Sequence, residues 1–415
     1  MDTIIQRSYY DFLMKFTSDH LDVLLHKKVF IFGAGVRGRN LLLILRMFKI
    51  PDISFVDNNP KKYGTIIDEY KVLSFPEATR YTDEHIFLCP AENSQQIMEQ
   101  LNQTGRKKGI DYYDLEFYFS DYLDVIKETI RPGNGFSIAF GNCTFSSCIL
   151  GDKFVLSFGE RMKQQLLGER TGKVCSLPGL SAGIYYQIIN ILLKTYGKTH
   201  LQSVFLTMEI SCFSPYTPFL LGHQVYQQHK LFLEQLLKIF PLEQELIHYT
   251  SLISERCAAS LSNINPIKSF DFESACRYVY QLKYNFDIEE SNESVIYTKK
   301  ILQCLNNEQI PVILYFPPID YQLGKQICGE NFVENYKIIV DRIKEFLSGY
   351  SFYCIDASFL MQSDCFVQQD KTPDINPWLN AKGQEIAIKF LETQEPILKV
   401  YGGMNFNCGN STKKE

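Results

Sequence analysis

The sequence lacks any run of about 18 apolar residues, and Met1–Asp11 has no apolar segment behind a basic one. Neither a membrane-spanning helix nor a simple export signal is expected. It lacks an excess of charge of one sign: 42 Lys and Arg stand against 47 Asp and Glu, mixed along the chain, for a net charge of −5. No basic footprint for nucleic acid or anionic lipid exists. It lacks any Cys-x-x-Cys pair. The twelve cysteines are scattered from Cys89 to Cys408, which is neither a zinc spacing nor the dense framework of a small secreted domain. They read as free thiols of a reducing cytoplasm. Histidine is absent after His248, and no internal repeat at roughly 20–50-residue spacing is visible.

What is present is an ordinary globular composition, 45% hydrophobic and 21% charged over 415 residues, long enough for two or three domains of about 100–200 residues. An amphipathic leader helix around Tyr9–Leu25 opens the chain. Short apolar strands at Lys28–Phe32, Ile53–Asp57 and Ile86–Cys89 alternate with helical segments at Arg39–Phe48 and Ser94–Thr104, the pattern of a parallel sheet covered on both faces. A charged helical stretch, Tyr122–Asn134, leads into Arg131-Pro132-Gly133-Asn134-Gly135, a boundary signal. A second series follows, with strands at Phe136–Phe140, Ser203–Met208, Pro311–Phe316 and Ser351–Ile355 and a last helix over 380–392. The predicted fold class is therefore α/β with two α/β domains: leader 1–26, first domain 27–120, linker 121–135, second domain 136–395 with a helical insertion over about 220–309, and a loose tail 396–415.

Gly33-Ala34-Gly35-Val36-Arg37-Gly38 follows a strand and opens a helix, the setting in which G-x-G-x-x-G binds phosphate. Gly33 makes the tight turn, Gly35 admits the anion to the backbone, and Gly38 lets helix and strand pack closely. Asp57, 19 residues after Gly38 at the end of the next strand, is placed to accept from ribose hydroxyls. The alternative is that the glycines only shape a turn and Asp57 caps Asn58-Asn59-Pro60. Together with Asp57-Asn58-Asn59-Pro60, the segment Val29–Glu77 resembles the N-terminal Rossmann-like domain of PglD-type bacterial sugar acetyltransferases. That resemblance implies a nucleotide or nucleotide-sugar ligand rather than hydride transfer. The only Tyr-x-x-x-Lys, Tyr321 to Lys325, contains Gly324 and lies in the other domain.

Gly141-Asn142-Cys143-Thr144 stands where the strand Phe136–Phe140 delivers it to the carboxyl edge of a sheet, just before a helical segment. A thiol there is favoured as thiolate, so Cys143 is the candidate nucleophile and the other cysteines read as core. The stretch Phe136–Leu391 resembles the SGNH/GDSL hydrolases. Gly141-Asn142-Cys143 replaces their Gly-Asp-Ser. Leu177-Pro178-Gly179-Leu180-Ser181-Ala182 matches the block whose glycine N–H enters the oxyanion hole, which implies that role for Gly179. Glu209-Ile210-Ser211 stands at the block that carries an Asn in the family, and Leu379-Asn380-Ala381-Lys382-Gly383 fits the closing block.

The family's Asp-x-x-His should precede Leu379, but the His position holds Trp378, with Asp374 and Asp370 upstream. A thiol depends less on a general base than a hydroxyl does. His223, with His229 nearby, is the alternative base, or Asp370 or Asp374 assists Cys143. Asn142, Glu209, Ser211, Trp378 and Asn380 are expected on the substrate side, Trp378 as a sugar-stacking face. The Gly-Asn-Cys turn is also similar to that of capsule-biosynthesis acetyltransferase-like proteins, which implies acyl-CoA as donor. The combined expectation is a cytoplasmic bacterial protein that modifies surface glycan (capsule, O-antigen or similar), as acyltransferase or esterase on a glycan or small-molecule substrate. The competing expectation is a non-catalytic glycan-binding or scaffolding protein that has lost its dyad. An oxidoreductase would rest on the glycine turn alone.

Overall fold

The computed structural model describes residues 3–81, 84–91, 94–115, 135–150, 155–168, 171–176, 179, 181–197, 200–216, 223–260, 271–367 and 378–401. They divide into two compact units, one within Met1–Phe119 with Cys148–Val155, the other within Ser120–Ser147 and Leu156–Glu415. Two α/β domains are thus present, as the sequence predicts. The predicted helix Tyr122–Asn134 lies outside the described residues.

The first unit runs β1 (Thr3–Gln6), α1 (Arg7–Asp19), α2 (Leu21–His26), β2 (Lys28–Phe32), α3 (Val36–Met47), β3 (Ile53–Val56), β4 (Ile66–Ile67), β5 (Tyr70–Leu73), α4 (Phe75–Thr79), β6 (His85–Cys89), α5 (Gln95–Gln103) and β7 (Tyr112–Asp114). Its sheet order is β4-β5-β3-β2-β6-β7, parallel except for the β4–β5 hairpin. Counting the parallel strands alone, this is order 3-2-1-4-5, the doubly wound arrangement. Because side chains alternate along a strand, Val29 and Ile31 join one core with Leu41, Leu45 and Phe55. Phe30 and Phe32 join another with Val56, Phe75 and Phe87. Burial on both faces explains why β2 is continuously apolar. The predicted leader helix is broken into α1 and α2 and preceded by β1. Residues of β9 (Ser147–Leu150), which pairs with β1, belong to this unit from Cys148 onward, so the boundary predicted at 121–135 is not a single cut.

The second unit runs β8 (Phe136–Gly141), α6 (Cys143–Ser146), α7 (Phe158–Met162), β10 (Gly172–Ser176), α8 (Ala182–Tyr196) and β11 (Leu201–Thr207). The insertion helices α9 (His223–Ile239), α10 (Gln244–Ser260), α11 (Phe272–Tyr284) and α12 (Glu293–Asn307) come next. Then follow β12 (Val312–Phe316), α13 (Tyr321–Cys328), α14 (Phe332–Phe346), β13 (Tyr353–Asp356), α15 (Ala381–Glu392) and α16 (Glu395–Tyr401). The sheet is β10-β8-β11-β12-β13, parallel throughout. This is order 2-1-3-4-5, the flavodoxin arrangement. Ala139, Phe205, Ile313 and Ile355 face a core shared with α7, α15 and α16. The tail predicted from residue 396 begins too early: Ile397 and Tyr401 are fully buried, and the Ser203 hydroxyl donates to Tyr401 Oη at 3.1 Å. Residues 402–415 lie outside the described residues.

Candidate functional site

In the first unit the glycine turn sits at the carboxyl ends of β2 and β6, where the strand order reverses and ligands bind in open sheets. Gly33 has φ +121°, and its N–H donates to Val56 O at 2.7 Å. A Cβ on Gly38 would fall 1.9 Å from Gly33 O, whereas one on Gly35 would meet nothing within 4 Å. Gly38 is therefore required by packing. Gly35, the N-cap of α3, leaves its approach open.

Asp57 departs from its expected role. Its Oδ2 accepts from Ala34 N–H at 2.8 Å and from the Lys62 ammonium at 2.8 Å, and its Oδ1 from Asn59 N–H at 2.9 Å. Three donors on a carboxylate with about four lone-pair sites make Asp57 a strut from the end of β3 to the glycine turn, with little capacity left for ribose. Burial works against its charge. The Lys62 ammonium and the Asn59 and Ala34 N–H groups outweigh burial and hold the carboxyl below its ordinary range. The Asn59 contact is the cap of Asn58-Asn59-Pro60 expected of Asp57, and Asn59 in turn accepts from Lys61 N–H at 3.1 Å.

In the second unit, β8 is followed by Asn142, the N-cap of α6, whose Oδ1 accepts from Thr144 N–H at 2.9 Å and Thr144 Oγ1 at 2.7 Å. This capped turn presents Cys143 at half-burial. A Cβ on Gly141 would strike the Phe145 ring at 2.2 Å, so the glycine lets Phe145 pack beneath the turn, edge-on to Phe158 at 5.1 Å. β8 pairs with β11 in a register that sets Phe140 opposite Leu206. Cys143 and Glu209 each follow two residues after the last residue of these neighbouring strands.

Between these two strand ends lies a pocket walled by Asn142, Tyr185, Leu206, Glu209 and Cys212 and by Ser294 and Thr298 of α12. It occupies the switch point of the 2-1-3-4-5 sheet. Glu209 is 7% exposed and accepts from Ser211 Oγ at 2.6 Å. The insertion fixes this wall. Ser294 Oγ donates to Cys212 O at 2.7 Å and Asn292 Nδ2 to Phe213 O at 2.8 Å. Burial first, then the charges of Glu209 and Cys143, push the Cys212 thiol up. Burial first, then Cys212, Cys175, Glu209 and Cys143, push the Tyr185 phenol up. These groups share one electrostatic neighbourhood.

The other predicted residues are placed as follows. Gly179 adopts φ +59° ahead of α8, in the left-handed region that favours glycine. His223 Nδ1 lies 3.1 Å from both Cys257 O and Ser260 Oγ at the end of α10 and is not among the pocket's walls. His229 is 3% exposed, edge-on to Tyr226. Asn380 is a helix cap rather than a substrate contact: it accepts from Gly383 N–H at 3.0 Å, and its Nδ2 donates to Asp364 O at 2.7 Å and Phe366 O at 3.3 Å. Trp378 is half-buried, accepts from Val367 N–H at 2.8 Å through its carbonyl, and buries its indole N–H without a partner among the described residues. Asp370 and Asp374 lie outside the described residues. Tyr185, Cys212, Ser294 and Thr298 are among the pocket residues that sequence reading does not find. Cys212 lies three positions after Glu209, but only the sheet register shows that this segment faces Cys143.

Among the described residues there is no group of three or more His, Cys, Asp or Glu able to hold a metal ion, and no helix long and apolar enough to cross a membrane. The family described as "C2185-like, N-terminal" matches residues 25–110, about a fifth of the 415-residue chain. That stretch runs from the end of α2 to just before β7. No curated protein matches the chain.

Proposed function

We propose that the second unit performs acyl transfer or ester cleavage on a carbohydrate, with Cys143 as nucleophile, and that the first unit holds a nucleotide or nucleotide-sugar at Gly33, Gly35 and Gly38. The observation that carries this reading is the position of Cys143, on a capped turn beside a pocket at the switch point of a 2-1-3-4-5 sheet. The resemblance of residues 136–391 to the SGNH hydrolases supports it. The Cys143 and Gly179 N–H groups are the proposed oxyanion donors, and acyl-CoA is a proposed donor. We place the protein in the bacterial cytoplasm, supported by twelve scattered cysteines with no Cys-x-x-Cys pair, with surface-glycan precursors as substrate.

Incubating the full chain with acetyl-CoA and other acyl donors is expected to give an acyl adduct on intact-mass analysis, and Cys143→Ala to abolish it. Absence of any adduct, or an adduct undiminished in the variant, refutes the nucleophile assignment.

Trp378 at the family's His position favours a second reading, a binding or scaffolding protein. Under that reading Cys143 alkylates no faster near neutral pH than an ordinary exposed thiol.

A further inference from the structure

Resting on the reading of Cys143 as nucleophile, we infer that Glu209 is its general base, a buried carboxylate doing at the end of β11 what the family's histidine would do. β8 and β11 are neighbours in the sheet, and Cys143 and Glu209 each follow two residues after the last residue of their strand. Asn142, which precedes the thiol, and Glu209 wall the same pocket. Ser211 Oγ, 2.6 Å from Oε1, orients the carboxylate.

Groups in the same electrostatic neighbourhood, among the described residues, include Tyr185 on α8, Cys175 on β10, Cys212 in the turn after β11, Tyr336 on α14 and Lys283 on α11. Burial is the first cause that keeps Tyr185, Cys212 and Tyr336 protonated, and it pushes Cys175 up to about 12. Lys283 is a cation. Glu209 is the one carboxyl among the groups named here.

As Sγ adds to the acyl carbonyl carbon, its proton passes to Glu209 and the carbonyl electron pair moves to oxygen. On collapse, the bond from carbon to the leaving oxygen or sulfur breaks, and the leaving group takes the proton from Glu209. In the second half, a hydroxyl of water or sugar gives its proton to Glu209 while attacking the thioester. The C–S bond breaks and Sγ recovers the proton. General-base assistance of this kind is worth about 10²–10⁴-fold.

The test uses the full chain with p-nitrophenyl acetate as the acyl probe, followed across pH, alongside iodoacetamide alkylation of Cys143 read on its own peptide. Glu209→Gln is expected to slow acylation at neutral pH by about 100-fold or more, with recovery at high pH where the thiol ionises unaided. Alkylation is expected to stay equal or become faster, because removing a negative neighbour favours thiolate. A purely structural role would depress both. Wild-type acylation in Glu209→Gln, with Cys143→Ala inactive, overturns the base and leaves the nucleophile standing. Undiminished acylation in Cys143→Ala overturns the nucleophile itself. If Glu209→Gln fails to fold, Glu209→Asp decides: slower acylation with unchanged alkylation supports the base, and acylation at the wild-type rate overturns it.

Discussion

Asp57→Ala removes the strut between β3 and the glycine turn, and its effect follows from three contacts. Two are charge-assisted bonds from the backbone N–H groups of Ala34 (2.8 Å) and Asn59 (2.9 Å), of a kind worth about 1.5–3 kcal/mol each. The third is the Lys62 pair at 2.8 Å, in which the Lys62 side chain is 36% exposed and that of Asp57 12%. A pair this close to solvent adds at most about 1 kcal/mol. The contributions are not additive, because water reaches the orphaned donors once the carboxylate is gone, so the expected loss is about 3 kcal/mol. For a unit of this size that lowers its midpoint by roughly 10 °C.

The folded-state pKa lies below the unfolded value near 3.9. The stabilisation is therefore complete above that value and fades as pH falls through the lower, folded-state pKa. Thermal unfolding is followed by far-UV circular dichroism at pH 7 and near pH 3. Fluorescence of Trp378, the only tryptophan and part of the second unit, reports that unit separately. A difference below about 0.5 kcal/mol at pH 7, or one that persists undiminished near pH 3, refutes the strut.

Three further perturbations test the framework. Gly38→Ala places a Cβ 1.9 Å from Gly33 O and is expected to destabilise the first unit by about 2 kcal/mol or more. Gly35→Ala meets nothing within 4 Å and should melt within about 0.5 kcal/mol of wild type while weakening nucleotide binding in a titration. Ile397→Ala, at a fully buried site in α16, should cost about 2–5 kcal/mol in urea unfolding. An unchanged midpoint would place that helix outside the core.

Central strands were legible because burial on both faces demands unbroken apolar runs. β2, β8 and β12 fall within a residue of their predicted ranges. Strands β5, β7 and β10 were missed. Lys71 and Lys173 interrupt the first and last, and β7 and β10 are edge strands, whose outer side no apolar pattern has to mark. The helical insertion was legible from its periodicity, but not its function of bracing the turn that follows Glu209.

The sequence alone determined local matters: where the glycine turn bends, which thiol ends a central strand, and that Trp378 stands where a histidine was expected. These follow from backbone conformation and short-range spacing. The pairing of partners was decided by tertiary structure. Asp57 is drawn to Ala34 rather than left open to a ligand, Asn380 is consumed as a helix cap, His223 is tied to α10, and Glu209 is brought to the pocket that Asn142 walls. Each pairing depends on strand register and helix packing, which join residues far apart in the chain and leave no mark in the residues near either partner.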